Sequence, residues 1–227
     1  MGPETAGVIL AEAAARGAAV LGEHDAKRVL AAYGVPVTRE RLISRRDQLV
    51  GAAAEIGYPV ALKGHGVAHK TEAGLVRLDL RTEAEALEAF DEIAAAVVDR
   101  PPQVLVAEML PSGRELAVGM VRDDDFGPCV MLGLGGIFTE VLGDATFRRA
   151  PLSTADASDM MSAIAGHRIL DGVRGLPPAD REALGAILIA VGRIGLDHPS
   201  IREIDGNPVI LAGSRPVVAD ALIVLEA

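Results

Sequence analysis

The sequence predicts an α+β protein of the α/β type, and three observations carry that expectation. Helical and extended patterns alternate along nearly the whole chain, Gly and Pro punctuate most of the junctions, and no repeat, low-complexity stretch or flexible linker interrupts them. One domain spanning residues 1–227 is therefore expected.

Taken in order, residues 1–21 are Ala-rich but carry Glu4, Glu12 and Arg16, which reads as a helix and not as a leader with a basic start. Residues 25–33 form a second helix, stopped by Gly34 and followed by Pro36. Residues 47–56 give a third, ended by Gly57, and 58–63 a short apolar strand that closes on Lys63. A glycine-rich polar loop, 64–74, precedes 75–80, where apolar and charged residues alternate as in a half-buried strand. Thr82 and Glu85 make a capping box that opens a helix through residue 98, and Pro101 and Pro102 break it before a strand at 103–108. Residues 115–122 and 129–134 read as a hairpin around the turn 123–128. Gly133, Gly135 and Gly136 then loosen the backbone before an extended piece at 137–142. Ser153 with Asp156 caps another helix, 178–194 forms a long apolar one, and 201–211 and 217–225 are extended around 212–216.

Composition narrows the function. A net charge of −10 excludes a duplex-binding surface, which must be basic. The absence of Trp and the scarcity of Phe and Tyr argue against the stacking platforms of single-strand binders. The longest apolar stretches, 183–192 and 129–138, are too short to span a bilayer. The lone Cys129 permits no internal disulfide and reads as a small buried hydrophobe. A cytoplasmic protein is expected.

Three places invite chemistry. Lys63 ends an apolar strand, a costly position unless its ammonium meets an anion. The glycines that follow let backbone amides approach phosphate oxygens, although the spacing is not a Walker A motif, and a snorkelling lysine over a surface turn fits as well. In the same loop His69, beside Lys70, is the histidine placed to face a phosphate, whereas His65 reads as solvated. Glu108 and Glu115 flank a Pro-Ser-Gly turn resembling a hinge, where carboxylates either accept ribose hydroxyls or stand exposed. Finally, Glu203, Asp205 and Asn207 fall on one face of an extended segment. Asn207 and Asp220 are equidistant from a turn centred between Gly213 and Ser214, so a regular hairpin would set their Cβ atoms about 5 Å apart. Oxygen ligands at that spacing suit Mg²⁺.

The order of these motifs resembles the ATP-grasp fold, and more narrowly the ATP-grasp subunit of ADP-forming acetyl-CoA synthetases and their acyl-CoA relatives. The resemblance runs from about residue 22 onward. It rests on Gly-Tyr-Pro-Val-Ala-Leu-Lys (57–63), His-Lys-Thr-Glu-Ala-Gly (69–74), the Gly-Leu-Gly-Gly region within 126–142, Phe-Arg-Arg-Ala-Pro-Leu (147–152), Gly-Val-Arg-Gly (172–175) and the closing Glu-Ile-Asp-Gly-Asn-Pro. It implies two lobes clamping ATP or ADP, a lid lobe at 41–107 and a main lobe at 22–40 with 108–227. Lys63 would contact the α and β phosphates, and the strand end at Glu108, Met109 and Leu110 would hold adenine largely through its backbone. Glu115 would bind the ribose, Asn207 and Asp220 would hold Mg²⁺, and Gly135 and Gly136 would lie at the site of transfer. His69 would receive or stabilise the phosphoryl group. The resemblance further implies a hetero-oligomer with a CoA-binding α-type subunit, whose phosphohistidine carries the phosphoryl group and which handles acyl-CoA and phosphate. Other ATP-grasp carboxylate ligases and a non-catalytic nucleotide-binding regulatory subunit are the competing readings. Gly206, where the family more often has an apolar residue, is expected to loosen the metal hairpin.

Overall fold

The chain divides into two units, Thr38–Leu110 and a second made of Met1–Val37 with Pro111–Ala227. The structure is a computed structural model that describes residues 2–66, 74–97, 101–111, 113–136, 143–172 and 175–226.

In the contiguous unit, strands β2 (Glu40–Ile43), β3 (Val60–Gly64), β4 (Val76–Leu80) and β5 (Val104–Glu108) form an antiparallel sheet in the order β2-β5-β3-β4. Two helices, α3 (Leu49–Ile56) and α4 (Glu83–Ala96), pack on it. Alternate strand residues Val60, Leu62, Val104 and Val106 meet Leu49, Ala53, Ile56, Phe90 and Ile93 in one aliphatic core. The capping box of α4 is formed as expected: Thr82 accepts from the Glu85 N–H at 3.2 Å and Glu85 reaches back to the Thr82 N–H at 3.2 Å. The helix expected at 47–56 begins instead with a 3₁₀ turn, Arg46–Gln48, because Gln48 folds back to accept from the Ser44 and Arg45 amides.

The second unit is built on a seven-stranded sheet. Its strands are β1 (Val20–Leu21), β6 (Glu115–Asp123), β7 (Gly127–Leu134), β8 (Ala145–Arg149), β9 (Ile201–Ala212), β10 (Arg215–Val218) and β11 (Leu222–Leu225). The order is β1-β11-β9-β6-β7-β8, with β10 also paired to β9, and every pairing is antiparallel. The twelve-residue β9 is central: β6 runs along one side, while β10 and β11 share the other. Helices α1 (Pro3–Ala15), α2 (Glu23–Ala32), α5 (Thr154–Ala163) and α6 (Arg181–Asp197) supply the rest of the core, with Ile9, Leu30, Ile187 and Val191 joining Met120, Leu132, Ile204 and Ile223. Helix α6 approaches closely, since a Cβ on Gly195 would stand 2.9 Å from the methyl of Met120.

Several expectations change here. The helix read over 1–21 stops at Ala15, because Val20 and Leu21 leave it to pair with Val224 and Ile223. The extended piece read at 217–225 is two strands, interrupted over 219–221. Strands β2 and β8 were not foreseen. The extended piece expected at 137–142 lies outside the described residues. Among the described residues no helix is long and apolar enough to cross a membrane.

Candidate functional site: a lysine strand and an acidic hairpin

In the contiguous unit Lys63 stands on β3, between Leu105 of β5 and Val76 of β4. It is half-buried, whereas Val60, Ala61, Leu62 and Gly64 of the same strand are buried. Gly64 is required by packing, because a Cβ there would sit 3.0 Å from that of Leu75. His69 lies outside the described residues.

Glu108 ends β5, opposite Val60. Its carboxylate is engaged: Oε1 accepts the Arg39 backbone N–H at 2.9 Å and Oε2 accepts Arg39 Nε at 2.8 Å. The Glu108 N–H donates to the Arg39 carbonyl at 2.9 Å, and the Met109 N–H to that of Pro59 at 3.3 Å. The strand end expected to hold adenine is therefore tied, at Glu108 and Met109, to two other segments of its own unit. Glu108 serves as a brace there, a role its sequence position, sixty-nine residues from Arg39, did not disclose.

In the second unit the remaining candidates come together. Glu115 opens β6 opposite Ile210 of β9, and the Gly135 N–H donates to the Glu115 carbonyl at 2.9 Å. Gly135 is buried, and a Cβ on it would lie 2.6 Å from the Leu116 carbonyl oxygen. Gly136 follows with φ +62, and a Cβ there would run into Glu115 Oε2. The Gly136 N–H points at Asn207 Oδ1 at 3.4 Å. Two bare backbone positions, a half-buried carboxylate and an amide oxygen thus converge.

The hairpin register places Asp220 opposite Asn207. Val209 pairs with Val218 on one side of the gap, and Asp205 with Leu222 on the other, in the register that sets 207 against 220. Across the gap the Ala219 N–H donates to the Pro208 carbonyl at 2.9 Å. Gly206 is buried, and a Cβ there would meet the Val118 carbonyl at 3.0 Å, so this glycine lets β9 run tightly against β6.

Asp205 belongs to the same cluster and was noticed in the sequence only as a member of the polar face. Burial first, then repulsion from Glu203 and from Asp220, together push its carboxyl up to about 6. Excess negative charge of this kind is relieved by a cation. Among the described residues no three His, Cys, Asp or Glu side chains stand close enough to cage a metal alone. Asn207 and Asp220 form an all-oxygen donor set, which fits a hard ion that keeps waters and borrows phosphate oxygens. The residues present fit Mg²⁺.

A further residue, Arg114, braces this region. Its guanidinium donates to the carbonyls of Ile169 (2.8 Å), Asp171 (2.8 Å), Pro177 (2.6 Å) and Gly213 (3.2 Å), joining the loop after α5 to the hairpin tip.

Comparison with known proteins places the chain in a family. A family model described as an ATP-grasp domain covers residues 12–225. The chain is 41% identical over 212 residues to the β subunit of acetate–CoA ligase [ADP-forming] I of Pyrococcus furiosus, covering 90% of this chain and 91% of that one. It is 40% identical over 228 residues to the β subunit of enzyme II of the same organism, covering 96% and 97%. Among solved structures it is similar to the dinucleotide-forming acetyl-coenzyme A synthetase 1 of Ca. Korarchaeum cryptofilum, with TM-score 0.86 and 41% identity over 97% of this chain and all of that chain. That protein was seen with coenzyme A and Mg-AMPPCP, its phosphohistidine segment pointing towards the nucleotide binding site.

Proposed function

The chain belongs to the ATP-grasp family, among the β subunits of ADP-forming acyl-CoA ligases, and from that premise we propose how its residues move a phosphoryl group. The reading is that the chain binds Mg-ATP or Mg-ADP and exchanges a phosphoryl group with a phosphohistidine on a CoA-binding α-type partner, which handles acyl-CoA and phosphate. The observation that carries it is the convergence of Glu115, Gly136 and Asn207 in one unit, beside a hairpin whose register sets Asp220 against Asn207.

Phosphoryl transfer asks a protein mainly for positioning and charge neutralisation. Lys63 supplies a fixed positive charge from a half-buried strand position, and we assign it to the α and β phosphates. The backbone of 108–110 holds adenine. With the amides of Glu108 and Met109 already given to Arg39 and Pro59, the Leu110 amide and the local carbonyls take that role. Glu115 accepts the ribose hydroxyls, and Gly135 and Gly136 let the phosphate chain approach the backbone. Asn207 and Asp220 hold Mg²⁺, which when bound neutralises and orients phosphate oxygens. The role of His69 in receiving or stabilising the phosphoryl group is part of the proposal and rests on the resemblance. His69→Ala without effect on turnover would remove it.

The test is reconstitution. Purified chain, a CoA-binding partner, acyl-CoA, phosphate, Mg²⁺ and ADP are mixed, and ATP is measured. ATP formation is expected, and Lys63→Ala or Asp220→Ala should abolish it while the complex stays assembled. ADP binding without any exchange across candidate partners would turn the reading towards a regulatory nucleotide-binding subunit.

A further inference from the structure

One buried charge in the second unit stands outside this machinery. Lys27 and Glu23, one turn apart on α2, keep only 1% and 3% of their side-chain surface exposed. Their contact is direct, Nζ to Oε1 at 2.8 Å. Ions this deep are held at a desolvation cost, and a well-packed apolar pair often serves stability as well or better. What the ammonium adds is a bond out of the helix: Nζ donates to the Ala219 carbonyl at 3.3 Å, 192 residues along the chain.

Ala219 is the first residue of the interval between β10 and β11, where the regular pairing of the hairpin lapses. Its N–H is held by the Pro208 carbonyl, next to Asn207, and its C=O by Lys27. The peptide plane that joins Ala219 to Asp220 is planar and rigid. Holding its carbonyl therefore fixes where the Asp220 amide and Cα stand, the base from which its side chain departs.

We propose that Lys27, locked by Glu23, is a positioning residue for the divalent-cation site, aiming Asp220 at the ion through the Ala219 carbonyl. This rests on the assignment of Asn207 and Asp220 to Mg²⁺. Partners that orient a metal ligand from behind typically change metal affinity by about 10–100-fold when removed.

The experiment measures ADP binding by the full chain in calorimetry, once with Mg²⁺ and once with EDTA. Lys27→Met alone would strand the Glu23 carboxylate in the core, so the double variant Lys27→Met/Glu23→Leu removes the pair together, with thermal melting to verify folding. The expected result is ADP affinity within about twofold of wild type in EDTA, and loss of about tenfold of the tightening that Mg²⁺ confers. Full retention of that tightening, or an equal loss with and without Mg²⁺, would overturn the inference, since a merely structural pair predicts one or the other. Asp220→Asn run in parallel separates the two levels. If it keeps the Mg²⁺ gain, the metal assignment itself fails and this inference with it. If it loses the gain while the double variant keeps it, only the role of Lys27 fails.

Discussion

Gly136 shows how a single missing methyl shapes the site. Its φ of +62 is strained for an L-residue, and a Cβ there would collide with Glu115 Oε2. Gly136→Ala should therefore lower the melting temperature only modestly, for a backbone cost of about 1–2 kcal/mol, while weakening nucleotide binding by displacing the carboxylate. In a Glu115→Ala background the same substitution should cost no further affinity, and a double-mutant cycle by calorimetry would show that coupling. At this scale the sequence was only partly legible. Lys63 stood out as a cation closing an apolar strand, and Asn207 and Asp220 as oxygen ligands equidistant from one turn, whereas Glu115 took its expected role from the resemblance. Lys27 and Glu23 did not, because an acidic and a basic residue one turn apart on a helix look like an exposed surface pair, and only the packed structure reveals them as buried. The brace between Glu108 and Arg39 was hidden for a related reason, since nothing local marks contacts across such a sequence distance.

Among the elements, the β9–β10 hairpin was legible by counting. The short turn at Gly213 and Ser214 and the apolar flanks determine one register, and that register places Asn207 against Asp220. The break between β10 and β11 was not legible, because 217–225 is apolar on both sides of Asp220 and holds no Gly or Pro to mark an interruption. Strand β8 was missed because three of its five residues beyond Thr146 are Phe147, Arg148 and Arg149, all exposed on an edge where no alternation is demanded. The ends of α2 and α6 carry a prediction of their own. Tyr33 closes α2 and its hydroxyl donates to Asp197 Oδ2 at 2.9 Å, with His198 Nε2 3.0 Å away. Burial first, then the hydrogen bond and charge of Asp197, raise the Tyr33 hydroxyl from 10.0 to about 12. The folded state then holds a proton that the unfolded chain releases at lower pH. The contribution is whole below pH 10.0 and is lost as pH rises to about 12. Urea denaturation across that window should show a shallower loss of stability in Tyr33→Phe than in wild type.

For the molecule as a whole, the α+β class followed from alternating periodicities, and the family from the order of motifs, with the match across residues 12–225 agreeing. Strand order was beyond reach, because pairings such as β1 with β11 join segments about two hundred residues apart. The division into units makes a further prediction. The stretch 38–110 has its own core of Leu49, Leu62, Phe90, Ile93 and Val106, all buried. Expressed alone, it should give a dispersed amide spectrum and a cooperative melt. The stretch 111–227 alone should not, because Ile9, Leu10, Val29 and Leu30, which fill its core, lie on α1 and α2.

The place of β9 has a consequence for how the protein is made. A ribosome completes 38–110 as one uninterrupted piece long before it reaches Ile201, and domains generally fold as they emerge. The other unit must wait. Until β9 is out of the exit tunnel, β6 has no partner on that side, and the row of backbone groups that will meet Ile210, Asp205 and Ile204 stays open. The strand that carries the proposed ligand Asn207 is thus also the keystone of the sheet, and Asp220 emerges later still, so a nascent chain cannot display the nucleotide site before its own architecture is closed.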